Sequence, residues 1–162
     1  MPNTMIKKQF ISSDIKVNDE ERTVTAVIST SGVDRDREVI KAKGGDFANY
    51  LKNPVVLFAH DYRELPIAKA TWIKVKAGKI VAEAKFADTE MAEDVYQLYK
   101  GGFLSAFSIG FIPQKRHAPS PKEIEARPEL ANVWSIIDEW ELLEFSAVPV
   151  PSNPQALATA VK

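Results

Sequence analysis

The chain contains no cysteine. That absence excludes disulfides, thiolate metal sites and cysteine nucleophiles. Histidine is scarce too, with two in 162 residues, which argues against a His-rich metal site. No stretch approaches the roughly 20 apolar residues of a membrane helix. Lys7 and Lys8 near the start are followed by no apolar run, so no secretory signal is read there. Charge of one sign is lacking as well. The net charge of −1 argues against a basic nucleic-acid-binding surface. What is present is 45% hydrophobic and 27% charged residues, the balance of a globular protein of one ordinary domain. The expectation is a single domain over 1–162 with no metal, no cofactor, no nucleic-acid partner and no membrane span. Any chemistry then rests on oxygen nucleophiles, carboxylates, lysines and two imidazoles.

The hydrophobic pattern predicts many strands and few helices. Phe10 to Val17 and Arg22 to Thr30 alternate around Asn18-Asp19-Glu20, which reads as an opening β-hairpin. Ser31 to Glu38, with its charged run, reads as a solvated loop. Gly45 to Leu51 is read as a short helix, and Pro54 bars its continuation. Ile67 to Lys76 and Lys79 to Phe86 form a hairpin about Ala77-Gly78. Asp88 or Thr89 caps a helix from Glu90 to about Lys100, with Met91, Val95, Leu98 and Tyr99 as its core stripe. Phe103 to Pro113 is a strand, and Val133 to Val148 is one long strand or two. Residues 114–130, rich in proline, are expected to be an exposed loop, and 151–162 an extended tail. The fold class is α+β: a β-rich, barrel-like, mostly antiparallel sheet with a few helices.

Three segments carry the candidate chemistry. In the first, Pro54-Val55-Val56-Leu57-Phe58-Ala59-His60-Asp61, an apolar strand ends on an imidazole that can take and return protons near neutral pH. In the second, Leu104-Ser105-Ala106-Phe107-Ser108-Ile109-Gly110-Phe111, two serines three apart face opposite sides of a strand. A serine hydroxyl is a weak nucleophile until a base takes its proton, and His60 is the obvious base. In the third, Glu144 sits among Leu142, Leu143 and Phe145, where a carboxylate is costly to bury without a partner. A carboxylate paired with His60 would fix the imidazole tautomer. Alternation does not choose between Glu141 and Glu144. Each residue also has a bland reading: a packing histidine, a structural serine, the wet face of a strand.

These blocks, in this order, resemble the prohead (procapsid) maturation protease family of tailed phages, which is similar in fold to the herpesvirus assemblin serine proteases. The resemblance covers about Val24 to Ala156. It includes Ser29-Thr30-Ser31-Gly32-Val33-Asp34-Arg35-Asp36 and Leu51-Lys52-Asn53-Pro54-Val55-Val56-Leu57 running into His60-Asp61. It continues through Pro66-Ile67-Ala68-Lys69-Ala70, Ser108-Ile109-Gly110-Phe111 and Glu144-Phe145-Ser146-Ala147-Val148 to Pro151-Ser152-Asn153-Pro154. The resemblance implies an assemblin-like serine endopeptidase that trims the scaffolding segment of the major capsid protein, and itself, inside the immature capsid in the host bacterial cytoplasm. Carried over, His60 is the general base, Ser108 the nucleophile and Glu144 the acidic third member.

Ser105 falls where the family block varies and ranks below Ser108. His117, which would mimic the second histidine of assemblin triads, lies in the proline-rich stretch and ranks lower still. Backbone N–H groups would hold the oxyanion, with Gly110 permitting close approach. The resemblance also implies self-association, a dimer in the simplest case. Two departures stand out. Ala59 occupies a position where relatives often carry asparagine, and Lys162 ends the chain where relatives often have a longer region removed by self-cleavage. The competing expectations are a non-catalytic capsid-assembly scaffold with the same fold, and an unrelated small β-barrel binding module.

Overall fold

The computed structural model describes residues 5–11 and 15–149. Ten strands and two α-helices follow in chain order. They are β1 (Ile6–Ile11), β2 (Lys16–Asn18), β3 (Thr23–Thr30), β4 (Glu38–Ile40), β5 (Gly45–Asp46), β6 (Val55–Phe58), β7 (Ala68–Lys76) and β8 (Lys79–Phe86). Helix α1 (Glu90–Lys100), β9 (Ala106–His117), α2 (Pro121–Ala126) and β10 (Ser135–Val148) complete them. The strands form one sheet in the order β1-β9-β10-β6-β7-β8-β3-β2. The fold is β-rich and mostly antiparallel, as expected. It is not a closed barrel, because β1 and β2 stand at opposite ends of this path.

Strand β10 is the spine. One edge pairs antiparallel with β9 from Ile136 to Val148. The other edge is shared in turn by β4, β5 and β6, all parallel to it. These parallel pairs make the sheet mixed, and they deliver β6 alongside Phe145, Ser146 and Ala147. The core is aromatic on this spine. Phe107, Ile109 and Phe111 of β9 and Trp140, Leu142, Phe145 and Ala147 of β10 point into one cluster with β3, β8 and α1. Tyr99 of α1 stacks on Phe107 at 4.9 Å, and Phe107 meets Phe145 edge-on at 5.8 Å. Such ring pairs add about 0.5–1.5 kcal/mol beyond the area they bury.

Local signals explain several elements. The β7–β8 hairpin turns at Ala77 (φ 50°) and Gly78 (φ 74°), the two left-handed residues that match the strands' twist. Helix α1 starts at Thr89, whose hydroxyl accepts the Ala92 N–H at 3.4 Å. Its buried stripe is Ala92, Val95, Tyr96 and Tyr99, the i, i+3, i+4, i+7 set of one helix face. Met91 and Leu98, expected in the core, are 38% and 40% exposed. They flank that stripe rather than sit on it.

Three expectations need correction. The segment 45–51 does not form an α-helix. Gly45–Asp46 pairs with Trp140 and Glu141, and a 3-10 turn follows at Tyr50–Lys52. A Cβ on Gly44 would lie 1.7 Å from the Asp138 carbonyl oxygen, so the chain here presses directly on β10. The stretch 114–130 is not simply loop. Strand β9 runs on to His117, α2 spans 121–126, and a 3-10 turn at Pro128–Asn132 buries Leu130. Pro121 sits in the first turn of α2, where no N–H bond is lost, and Ser120 and Glu123 form a capping box. The opening hairpin is real but short. Lys16–Asn18 pairs with Thr23–Thr25, whereas β1 crosses to β9. The expected tail at 151–162 lies outside the described residues.

Candidate active site

Strand alternation puts Ser108 and Gly110 on the face of β9 opposite Phe107, Ile109 and Phe111. The matching face of β10 depends on one irregularity. The ladder pairs Leu142 with Phe111 and then Glu144 with Gly110, which leaves Leu143 unpaired. This is a β-bulge. Strict alternation would place Glu144 beside Leu142 and Trp140 in the core. The extra residue turns Glu144 and Ser146 to the Ser108 side and gives Phe145 and Ala147 to the core. Ser146 then lies opposite Ser108, and Glu144 opposite Gly110.

His60 arrives from β6. The strand ends at Phe58, and the next two residues are both left-handed, Ala59 at φ 51° and His60 at φ 56°. Non-glycine residues rarely adopt this conformation, so surrounding bonds must hold it. Ala59 N–H donates to Ala147 O at 2.8 Å, Asp61 N–H to Phe58 O at 3.1 Å, and His60 N–H to Ser146 Oγ at 3.2 Å.

The imidazole then bridges two side chains. Its Nε2 is 2.6 Å from Ser108 Oγ, and its Nδ1 is 2.5 Å from Glu144 Oε1. An ionised carboxylate only accepts hydrogen bonds, so Nδ1 carries a proton; in the neutral imidazole it is then Nε2 that holds the lone pair facing the serine hydroxyl. The group is buried, with Ser108 at 0%, Glu144 at 3% and His60 at 8% exposure. A carboxylate there needs partners. Besides His60, Glu144 receives Ser146 Oγ–H on Oε2 at 2.6 Å and Tyr62 Oη–H on Oε1 at 3.4 Å. Burial, and then the charge of Glu144, pushes the Tyr62 hydroxyl up, so it stays a donor. Burial and the same charge push Tyr50 up as well. Gly110 makes room for this carboxylate. A Cβ there would fall 2.3 Å from Glu144 Oε1 and 3.2 Å from Tyr62 Oη.

The structure thus brings His60, Ser108 and Glu144 together and leaves the other candidates apart. Glu141 faces elsewhere and accepts from Asn49 Nδ2 at 3.0 Å. Ser105 precedes β9 and is half-buried. His117 is at the far end of β9, bonded to Asp138 and Glu123. Sequence reasoning missed two members. Ser146 had a usable signal, since it is two residues from Glu144 and shares its face where the strand between them is regular. Tyr62 had none, because it reaches Glu144 from a loop.

Comparison with known proteins bears on this site. The family described as caudovirus prohead serine protease matches residues 15–162. The chain belongs to that family. It is 32% identical over 155 residues to a capsid polyprotein of Pseudomonas phage PAJU2, covering 90% of this chain and 21% of that protein. It is 32% identical over 139 residues to a prohead protease of Escherichia phage T5, covering 83% of this chain and 60% of that protein. The chain therefore spans about a fifth and three fifths of these two curated relatives. In fold it is similar to the capsid assembly protease of bacteriophage T4, with a TM-score of 0.64 at 9% identity, over 91% of this chain and 98% of that one.

Proposed function

We propose that this chain is a serine endopeptidase of prohead maturation, with Ser108 as nucleophile, His60 as general base and Glu144 as the residue that orients and balances the imidazole. The observation that carries this reading is the buried relay Ser108 Oγ–His60 Nε2 at 2.6 Å and His60 Nδ1–Glu144 Oε1 at 2.5 Å. Ser108 Oγ bonds to the peptide carbonyl carbon as His60 Nε2 takes its proton. Backbone N–H groups hold the oxyanion, a contribution of about 2.7–4 kcal/mol per donor in other hydrolases. His60 then returns the proton to the leaving amine, and water repeats the cycle on the acyl-enzyme.

The substrates in this reading are the scaffolding segment of the major capsid protein and the protease chain itself. The cleavages take place inside the immature capsid in the bacterial cytoplasm, by a self-associating enzyme. A relative named as a capsid polyprotein, with a segment like this chain inside it, supports a capsid-protein partner. The deciding experiment is co-expression of wild type or Ser108→Ala with the cognate capsid protein, read by intact mass. Trimming by wild type alone, with the variant's circular dichroism unchanged, is the expected result. Equal trimming by both removes Ser108 from the mechanism. Trimming by neither, with normal assembly, favours the non-catalytic scaffold.

A further inference from the structure

We propose that Ser146 is a positioning residue of this site, fixing through one oxygen both the turn that presents His60 and the carboxylate that orients it. The activity readout of this inference rests on the protease reading above. Ser146 is fully buried, at 0% exposure. Its hydroxyl has one proton to give and lone pairs to share. A backbone N–H can only donate, so Oγ accepts from His60 N at 3.2 Å. An ionised carboxylate can only accept, so Oγ gives its proton to Glu144 Oε2 at 2.6 Å. Both directions are fixed by chemistry.

These bonds close a ring. His60 N–H reaches Ser146 Oγ, Ser146 Oγ–H reaches Glu144 Oε2, and Glu144 Oε1 returns to His60 Nδ1. The imidazole is therefore tied at its backbone and at its ring to the same strand of β10. The tie falls where it is needed, since Ala59 and His60 are consecutive left-handed residues. The other bonds of that turn, from Ala59 and Asp61 N–H, are backbone to backbone. Among the described residues, Ser146 Oγ is a side-chain restraint on His60's own peptide. Removing it leaves a buried N–H and a carboxylate oxygen each short of a partner. The turn and the carboxylate can then shift independently, and Nε2 loses its aim at Ser108.

The bland alternative is a core serine that merely satisfies its neighbours. Ser146→Ala, Ser146→Thr and Ser146→Cys in the full chain separate the two. Rates are measured on a fluorogenic peptide carrying the mapped capsid-protein cleavage site. The His60 Nδ1–H proton is followed as a low-field NMR resonance. Ser146→Ala is expected to lower kcat about 100-fold, the scale of a misplaced catalytic group, with KM unchanged and the resonance shifted or broadened. Ser146→Thr keeps the hydroxyl and should restore the resonance and most of kcat. Should Ser146→Ala fail to fold, Ser146→Cys carries the test, because a thiol is similar in shape and a weak donor. Wild-type kcat and an unmoved resonance in Ser146→Ala, or in Ser146→Cys in its place, overturn the inference. If wild type and Ser108→Ala alike leave the peptide uncut, the protease reading falls, and the resonance alone decides the role of Ser146.

Discussion

The two histidines begin alike and end differently. Each places Nδ1 2.5 Å from a carboxylate oxygen, His60 on Glu144 and His117 on Asp138. The contrast is at Nε2. His60 faces the Ser108 hydroxyl, whereas His117 faces a second carboxylate, Glu123, at 2.9 and 3.1 Å. An imidazole between two carboxylates donates from both nitrogens and is held protonated. The Asp138 bond first, and then the Glu123 bond, raise His117 above its ordinary value. The partners respond in turn. Burial pushes Asp138 up, but Lys41 and His117 outweigh it and leave it lowered. The Ser120 backbone N–H and then His117 hold Glu123 down at about 2. His117 is a charged strut tying α2 to β10. His60 faces a hydroxyl instead, the partner the proposed mechanism requires. Under that proposal, the partner on the far nitrogen, more than the carboxylate on the near one, separates chemistry from architecture.

The strongest attempt to break this contrast replaces each carboxylate by its amide. Glu144→Gln should lower kcat about 10⁴-fold, because an amide facing Nδ1 favours the wrong tautomer. Asp138→Asn should leave kcat within about twofold, since a partly exposed ion pair remote from the reacting atoms contributes little. Similar losses in steady-state peptide hydrolysis would erase the distinction.

Next in size is Gly110→Ala. Its Cβ would collide with the Glu144 carboxylate, so kcat should fall about 100-fold while α1 and the hairpin keep their circular dichroism. Unchanged turnover would mean that the carboxylate moves freely.

Smaller is the pH dependence of the His117 strut. Its folded-state value lies above the ordinary 6.5. The stabilisation is therefore complete below about pH 6.5 and is lost as pH rises through the raised folded value. Thermal melts of His117→Asn should show a deficit against wild type in mild acid that closes in alkali, with peptide hydrolysis unaffected. A deficit that grows with pH would contradict the assigned charge. The smallest effect is expected for Ser120→Ala, which removes the cap of α2 and should cost about 1 kcal/mol in denaturant unfolding. Turnover should not follow it.

Much of this molecule was legible residue by residue where the signal is local. Ala77-Gly78 marked its hairpin and Asp88-Thr89 the start of its helix, with Thr89 the cap in the structure, because turn and cap preferences act within a few residues. Helix α2 was misread because Pro121 and the flanking Pro119 and Pro128 look like breakers, although Ser120-Pro121 with Glu123 spells a helix start. The face of Glu144 was not legible at all. Alternation counts residues along one strand, whereas the bulge at Leu143 is set by how β10 pairs with β9.

By itself, then, the sequence determined the inventory. With no cysteine and two histidines, it confined the chemistry to oxygen nucleophiles, carboxylates, lysines and imidazoles, and the order of its blocks pointed to Ser108, His60 and Glu144. Tertiary structure decided what those groups can do. His60 is 48 residues from Ser108 and 84 from Glu144. Only the packing of β6 beside β10, the left-handed turn at Ala59-His60 and one extra residue in a strand bring them within hydrogen-bond reach. Proton transfer depends on tenths of an ångström between groups distant in the chain, and local sequence preferences do not encode such distances.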